Sequence, residues 1–452
     1  MQRSIPEKAR VAVVGTGISG LSAAWLLSHR CDVTVFERAG RAGGHSNTVD
    51  VQTAGPAIPV DTGFVVFNTG NYPNLTAFFD FLGVDTKPSD MSLSLSLDDG
   101  ALEYSGANLQ GLFAQRTNLI KPRFWSMLRD VARFYRKAPR DLADLDPVGT
   151  TLGQYLSAHG FGRAFQEDHL LPMAAAIWSA PAKTLLDYPA AAFINFYESH
   201  GLLRLRERPM WRTVVGGSRA YVRRLTQSFE KRILLNRAVV AITRTKHGVA
   251  IRDQSGRERH FDHVVIATHA DQALSLLQDP SPRESGLLGA FRYSQNTAIL
   301  HTDASLMPRR QTTWASWNYV GRRDATTEPV SVTYWMNRLQ GFTSEQNLFV
   351  TLNPTRAPRA GSVLHQEIYE HPRFDTNALI AQRELWSLQG NRNTWFCGAH
   401  FGAGFHEDGL QSGLAVAEAL CGARRPWGVD GESDRITLTP LDPQRVPERC
   451  VV

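Results

Sequence analysis

"VAVVGTGISG", residues 11–20, runs an apolar stretch into glycines at Gly15, Gly17 and Gly20. Val11–Val14 reads as a buried strand of a parallel sheet, because no polar residue interrupts it. The GxGxxG spacing permits a tight turn and a close approach of backbone to a pyrophosphate, which the N–H groups of the next helix face. Alone the motif is weak, so its surroundings decide. "LSAAWLLSHR" (21–30) continues as a helix with small residues where it presses on a sheet, and "CDVTVFE" (31–37) gives a second strand. That strand ends at Glu37, 22 residues after Gly15, where a carboxylate accepts both hydroxyls of an adenosine ribose. The three segments together make a dinucleotide site.

The segment after Glu37 separates FAD from NAD. In "ERAGRAGGHSNTV" (37–49), Arg38, Arg41, Gly43, Gly44 and His45 come directly after the acid, where an NAD site passes straight into its next helix. A glycine pair with basic neighbours suits a second pass of backbone along a longer, buried dinucleotide. Near the other end, "FCGAHFGAGFHEDGLQSGLAVAEAL" (396–420) reads as strand, glycine-rich loop and helix. A helix starting near Asp408 aims its positive end at the polar edge of a flavin ring. The absence of a second GxGxxG argues against a separate NAD(P)H domain.

These blocks, with "GGSRAYVRRL" (216–225), resemble the flavin-containing amine oxidoreductase superfamily, which also holds phytoene-type desaturases and protoporphyrinogen oxidase. The likeness spans nearly the whole chain. "DTGFVVFN" (61–68), "LLPMAAAIWSAP" (170–181) and "VTYWMNRLQ" (332–340) resemble a narrower bacterial group. Its members are described as predicted NAD/FAD-binding proteins and are often encoded near cyclopropane-fatty-acid-synthase-like methyltransferases. The resemblance implies an α/β fold: a Rossmann-like FAD-binding domain of the amine oxidase/glutathione-reductase type with a discontinuous α+β substrate domain. It further implies that Gly15, Gly17, Ser19, Gly20 and Glu37 hold the pyrophosphate and ribose, and that Arg38, Arg41 and Gly43–His45 lie along the FAD. Thr62, Gly63 and Phe64 would approach the isoalloxazine, Val239 the adenine, and Gly398, His406, Glu407 and Leu410 the flavin and ribityl chain. The family commonly has arginine where His45 stands. Tight non-covalent FAD is expected, with His45 and Cys397 as the candidates for covalent attachment.

The implied domains are 8–75, 210–280 and 390–425 for FAD, 76–209 as a mainly helical part of the substrate domain and 281–389 as its strand-rich part. Residues 426–452 form a tail over the surface. Within 281–389, "TAILHTD", "TTWASWNYV", "VSVTYWMN" and "LFVTLNP" read as strands of a sheet with one strongly aromatic face.

Amine oxidases of the superfamily place a lysine on a substrate-domain strand near the flavin. The corresponding "SQNTAILHTD" (294–303) has none, and offers only Asn296 and His301. Phe405 takes the place of a flavin-facing aromatic, without a hydroxyl. These features, with the aromatic residues of the inserts, suit a long apolar substrate better than a small cation. Three readings stay open: an FAD-dependent dehydrogenase or desaturase acting on a fatty acyl or lipid chain, an amine oxidase producing imine and hydrogen peroxide, and a redox-neutral isomerase or lipid-modifying partner protein.

Other chemistries find little support. "GGSRA" is no GxSxG elbow, and His260, Asp262 and His263 alternate across a strand, so no metal site is expected. Four scattered cysteines without a CxxC pair fit a cytoplasmic protein, and no apolar run approaches the roughly 20 residues that span a bilayer. The net charge of +6 is concentrated in residues 116–140, with eight basic residues against Asp130. That segment reads as an amphipathic helix, either ordinary scaffold or a peripheral contact with anionic lipid at the inner membrane surface. Nucleic acid is not an expected partner, because no second basic cluster accompanies it.

Overall fold

The computed structural model describes residues 8–147, 149–178, 182–204, 209–323 and 331–439. At its centre is a five-stranded, wholly parallel sheet. In spatial order its strands are Ile233–Leu234, Asp32–Phe36, Arg10–Val14, His263–Ile266 and Thr394–Phe396. Val11 pairs with Val33 on one side and His263 on the other, which is why the 11–14 run must be apolar throughout. Every residue of the next helix, Ile18–Leu27, is buried. It packs on the helix His406–Cys421 so closely that a Cβ at Gly413 would lie 2.2 Å from the Ser19 carbonyl oxygen. A three-stranded antiparallel sheet, Val239–Thr245, Gly248–Asp253 and Glu258–Phe261, completes this part, with its turn at Gly256.

The second large sheet has seven strands in the order Val363–Arg373, Arg292–His301, Phe349–Leu352, Val332–Trp335, Trp317–Gly321, Leu93–Leu97 and Leu102–Ser105. Four of these carry the strand signals read from the sequence. Val363–Arg373 does not, and the last two belong to the segment read as mainly helical. "LSLSL" at 93–97 does alternate apolar and polar residues, the period of a strand. Its serines are buried with its leucines because the strand lies inside the sheet.

The basic segment forms the helix Pro122–Asp141, with Pro122 in its first turn. Phe124, Met127, Phe134 and Tyr135 face the core while Arg129 stays 77% exposed. Its apolar stripe is therefore satisfied by the protein, and of its aromatic residues Phe124, Trp125, Phe134 and Tyr135 only Trp125 reaches the surface. Among the described residues no helix is long and apolar enough to cross a membrane, and no three His, Cys, Asp or Glu side chains group as metal ligands. Cys31, Cys397 and Cys421 are buried; Cys450 lies outside the described residues.

The tail does more than lie over the surface. At its root Arg425, fully buried, bonds Asn74 and Glu418, and within it Trp427 stacks on Trp25 at 5.9 Å. Arg435 reaches the buried Asp408 at 2.6 Å. A buried guanidinium needs carboxylates and carbonyls around it, and the tail takes its path from them.

Candidate active site

The glycine motif builds a bare backbone cradle. Gly15 has φ +103°, and a Cβ there would meet the Ala267 carbonyl oxygen at 2.9 Å; one at Gly20 would meet the Gly15 oxygen at 2.0 Å. Nothing lies within 4 Å of a Cβ built at Gly17, which opens onto the cavity. No side chain caps the Ile18–Leu27 helix, so its first N–H groups are available to an anion. Glu37 follows the second strand and accepts from the N–H of Thr16 at 3.0 Å, from the Thr16 hydroxyl, and from the N–H of Ala39 at 2.8 Å. These bonds fix the carboxylate beside the loop, with lone pairs remaining for ribose hydroxyls.

The glycine pair folds beneath this loop. Gly43 donates to the Thr16 carbonyl at 3.0 Å, and Arg41 donates to the Gly44 carbonyl at 2.8 Å. The His45 ring then lies tilted against Tyr369 (4.9 Å) and His371 (5.5 Å), with its Nε2 buried and without a partner among the described residues. Burial, then His371 and the other neighbouring histidines, holds His45 well below the usual histidine range. A neutral imidazole thus stands where the family has a fixed cation. A side chain at Gly63 would strike the His45 carbonyl at 2.2 Å, and Thr62 shares a 2.8 Å hydrogen bond with Tyr369. Asp61 accepts from the N–H and hydroxyl of Ser218, and burial raises its pKa to about 6. Phe64 stacks on His406 at 3.7 Å.

Most of the residues read from the sequence line one cavity of about 1480 Å³; Gly20, Gly43, Glu407 and Leu410 do not. Gly20 and Gly43 act behind the wall as close-packing positions. The final helix begins at His406 rather than near Asp408, so Phe405 and His406 stand at its N-terminus on the cavity. Glu407, one position round the helix, points away and accepts from the N–H groups of Asn74 and Leu75, capping the helix Pro73–Leu82. Leu410 is core, and Cys397 is buried off the cavity with its thiol pushed up to about 12.

Neither substitute for the missing lysine reaches the cavity. His301 bonds the Thr351 hydroxyl at 2.7 Å and accepts from the Asp303 N–H at 3.1 Å, and Asn296 is bonded to Asn353 and His371. Phe405 does line it, stacked on Phe196 at 5.1 Å. Reading the sequence missed Tyr369, His371 and His269, which line the flavin end. His269 had a signal, since it lies in the loop that leaves the buried strand 263–266, three residues past its end. Tyr369 and His371 had none.

The cavity exceeds the roughly 300–1,000 Å³ of a site for one small ligand, leaving room for a dinucleotide and a second molecule. The uncapped helix, the cradle that a Cβ would fill and the unpartnered Nε2 atoms of His45 and His400 fit FAD. A family model described as flavin containing amine oxidoreductase matches residues 18–421. The chain belongs to this family. It is an FAD-dependent oxidoreductase.

Solved structures share the flavin amine oxidoreductase fold at low identity. Wild-type putrescine oxidase bound to putrescine superposes with a TM-score of 0.64 at 16% identity, covering 91% of this chain and 98% of that one. A CLA-producing fatty acid isomerase from P. acnes gives 0.64 at 17%, covering 92% and 99%. Cyclohexylamine oxidase from Brevibacterium oxydans IH-35A gives 0.62 at 16%, covering 91% and 99%. No curated protein matches the chain.

Proposed function

We propose that this oxidoreductase removes hydrogen from the hydrocarbon part of a long apolar substrate, a fatty acyl or lipid chain. The observation that carries the reading is the cavity floor. All seven strands of the large sheet contribute to it, through Leu93, Leu95, Trp317, Tyr334, Val350 and Leu352 among others, facing Met173, Ile177, Trp178 and Phe196 of the helical part. Bound FAD supplies a two-electron acceptor for hydride. The chain supplies orientation and exclusion of water. No lysine lines the cavity among the described residues.

The cavity's carboxylates, Glu37, Asp61, Asp90, Glu367 and Glu370, are each already engaged. Asp90 pairs with Arg338 at 3.0 Å, Glu367 lies 3.8 Å from Arg41, and Glu370 lies 3.3 Å from His269. Asp90 and Glu367 thus face guanidinium groups, while Glu37 and Asp61 are held by amide and hydroxyl donors of the protein. The test is anaerobic incubation of the yellow protein with long-chain fatty acids and, separately, with diamines. Loss of flavin colour with the acyl chain alone supports the proposal. Loss of colour with a diamine overturns it for amine oxidation. A shifted double bond with the colour intact assigns isomerisation, the activity named for one protein of this fold.

We further propose that the face at 109–125 meets an anionic bilayer. Ile120 is 82% exposed, Leu109 75% and Trp125 49%, beside the exposed Arg116 and Arg129. Single exposed apolar residues need no explanation, but three in one short segment, with exposed arginines in it and just after it, suit a bilayer surface. Gly106–Asn108, which lead directly into Leu109, line the cavity, so the path from this face is short.

A further inference from the structure

At the edge strand Leu102–Ser105 the cavity ends in polar groups. The Tyr104 hydroxyl lies 3.0 Å from His169 Nδ1, and the Tyr135 hydroxyl lies 3.1 Å from His169 Nε2. All three side chains line the cavity. They come from a strand, a π-helical turn (Gln166–Leu170) and the long helix Pro122–Asp141. π-turns recur at functional sites because the extra residue redirects a side chain. A second observation lies behind them: the Tyr197 hydroxyl is buried and has no hydrogen-bond partner among the described residues. Tyr369, at the flavin end, is on the first strand of the sheet and Tyr104 on the seventh. Six inter-strand spacings separate them, roughly 28 Å.

The hydrogen bonds fix the proton positions. Tyr104 commits its one proton to the Asp168 carbonyl at 2.8 Å, so the contact with His169 requires Nδ1–H as donor. A neutral ring then has its lone pair at Nε2 and accepts from the Tyr135 O–H. In that state Tyr135 offers the cavity an acceptor. An ammonium head group is poorly served, because no carboxylate lines this end. A carboxylate is served once His169 gains a proton at Nε2 and donates to the Tyr135 oxygen, which turns the Tyr135 O–H towards the ligand. One proton comes from solvent and no electrons move.

Charged groups lie on the same turn as the ring. Arg123 and Arg323 both bond Asp168, Arg123 also bonds Glu167, and Arg323 bonds Asp98. Burial holds Tyr104 protonated, well above the ordinary phenol range.

We infer that the Tyr104–His169–Tyr135 cluster binds the polar end of the apolar substrate as a carboxylate and takes up one proton in doing so. The assignment rests on the apolar-chain reading above. The test is calorimetric titration of FAD-loaded protein at pH 8, in two buffers of different ionisation enthalpy, with palmitate and with the alcohol of the same chain length. Palmitate is expected to take up one proton per molecule bound, and its affinity to fall about tenfold per pH unit on further alkalinisation. The alcohol should take up none. His169→Gln should abolish the uptake and weaken palmitate by at least about tenfold while alcohol affinity and flavin absorption stay unchanged. Tyr135→Phe, which removes one oxygen, should weaken palmitate alike and serves if His169→Gln loses its flavin. Palmitate binding without proton uptake, or with undiminished affinity in both variants, overturns the head-group assignment alone. Failure of both ligands to bind overturns the apolar-chain reading with it.

Discussion

Glu37 has two tasks, because the carboxylate that awaits the ribose also closes the Thr16 loop. Glu37→Ala should weaken FAD binding by about 1–3 kcal/mol, the cost of leaving hydroxyl and amide partners unpaired; titration of the apoprotein with FAD measures it. Glu37 was legible in the sequence because its role depends on neighbours within one β–α–β unit. Tyr369 and His371 were not, since only the folded chain brings them to His45, more than 300 residues away. Glu407 was legible as a site neighbour but not in direction: one step along a helix turned it to the 73–82 helix. The buried histidines set a pH dependence. Burial lowers His200, His400 and His406 to about 3 and His371 to about 4. An unfolded chain takes up protons near pH 6.5 at these positions while the folded one does not. Their full contribution is therefore present above pH 6.5 and lost as pH falls from there towards 4, at up to about 1.4 kcal/mol per unit for each group. Urea unfolding of the flavin-free protein should show its midpoint dropping between pH 7 and 5. A flat profile would contradict the neutral assignments.

The helix His406–Cys421 presents its N-terminus to the cavity and holds Asp408 in its first turn, fully buried. Asp408 accepts from the Phe405 N–H at 2.7 Å and from Arg435 at 2.6 Å. Arg435→Ala leaves that carboxylate uncompensated, and breaking a buried pair from one side costs about 3–5 kcal/mol. Chemical denaturation should register the loss, and FAD content should fall with it because Phe405 and His406 stand on the same turn. An unchanged unfolding curve would show that solvent reaches Asp408. Elements followed the sequence where periodicity and punctuation were local: the 11–14 strand, the helix opened by Pro122 and the hairpin turned by Gly256. The order of the seven-stranded sheet did not. Leu93–Leu97 pairs in parallel with Trp317–Gly321, residues more than 200 positions later, and no pattern in "LSLSL" names that partner. The Tyr104–His169–Tyr135 cluster was hidden for the same reason, compounded by a π-turn with no compositional mark.

For the whole molecule, the exposed face at 109–125 predicts sedimentation with anionic but not neutral vesicles at low salt, since salt screens the attraction. Arg129 and Arg136 are exposed and suited to test it, whereas Arg133 bonds the Gly160 carbonyl and packs over Phe161. Ile120→Asp combined with Arg129→Gln and Arg136→Gln should abolish sedimentation with flavin content intact; wild type that ignores anionic vesicles refutes the bilayer contact. The central sheet carries one more consequence, for synthesis. Its strands come from residues 10–14, 32–36, 233–234, 263–266 and 394–396, and the helix that completes the flavin wall ends at Cys421. At about 5–20 residues per second, a ribosome leaves one edge of the first strand without its partner for roughly 12–50 s, and the cofactor cradle without its last wall for roughly 20–80 s. FAD capture therefore waits for the helix that ends at Cys421: the nascent protein stays colourless until that residue has left the ribosome.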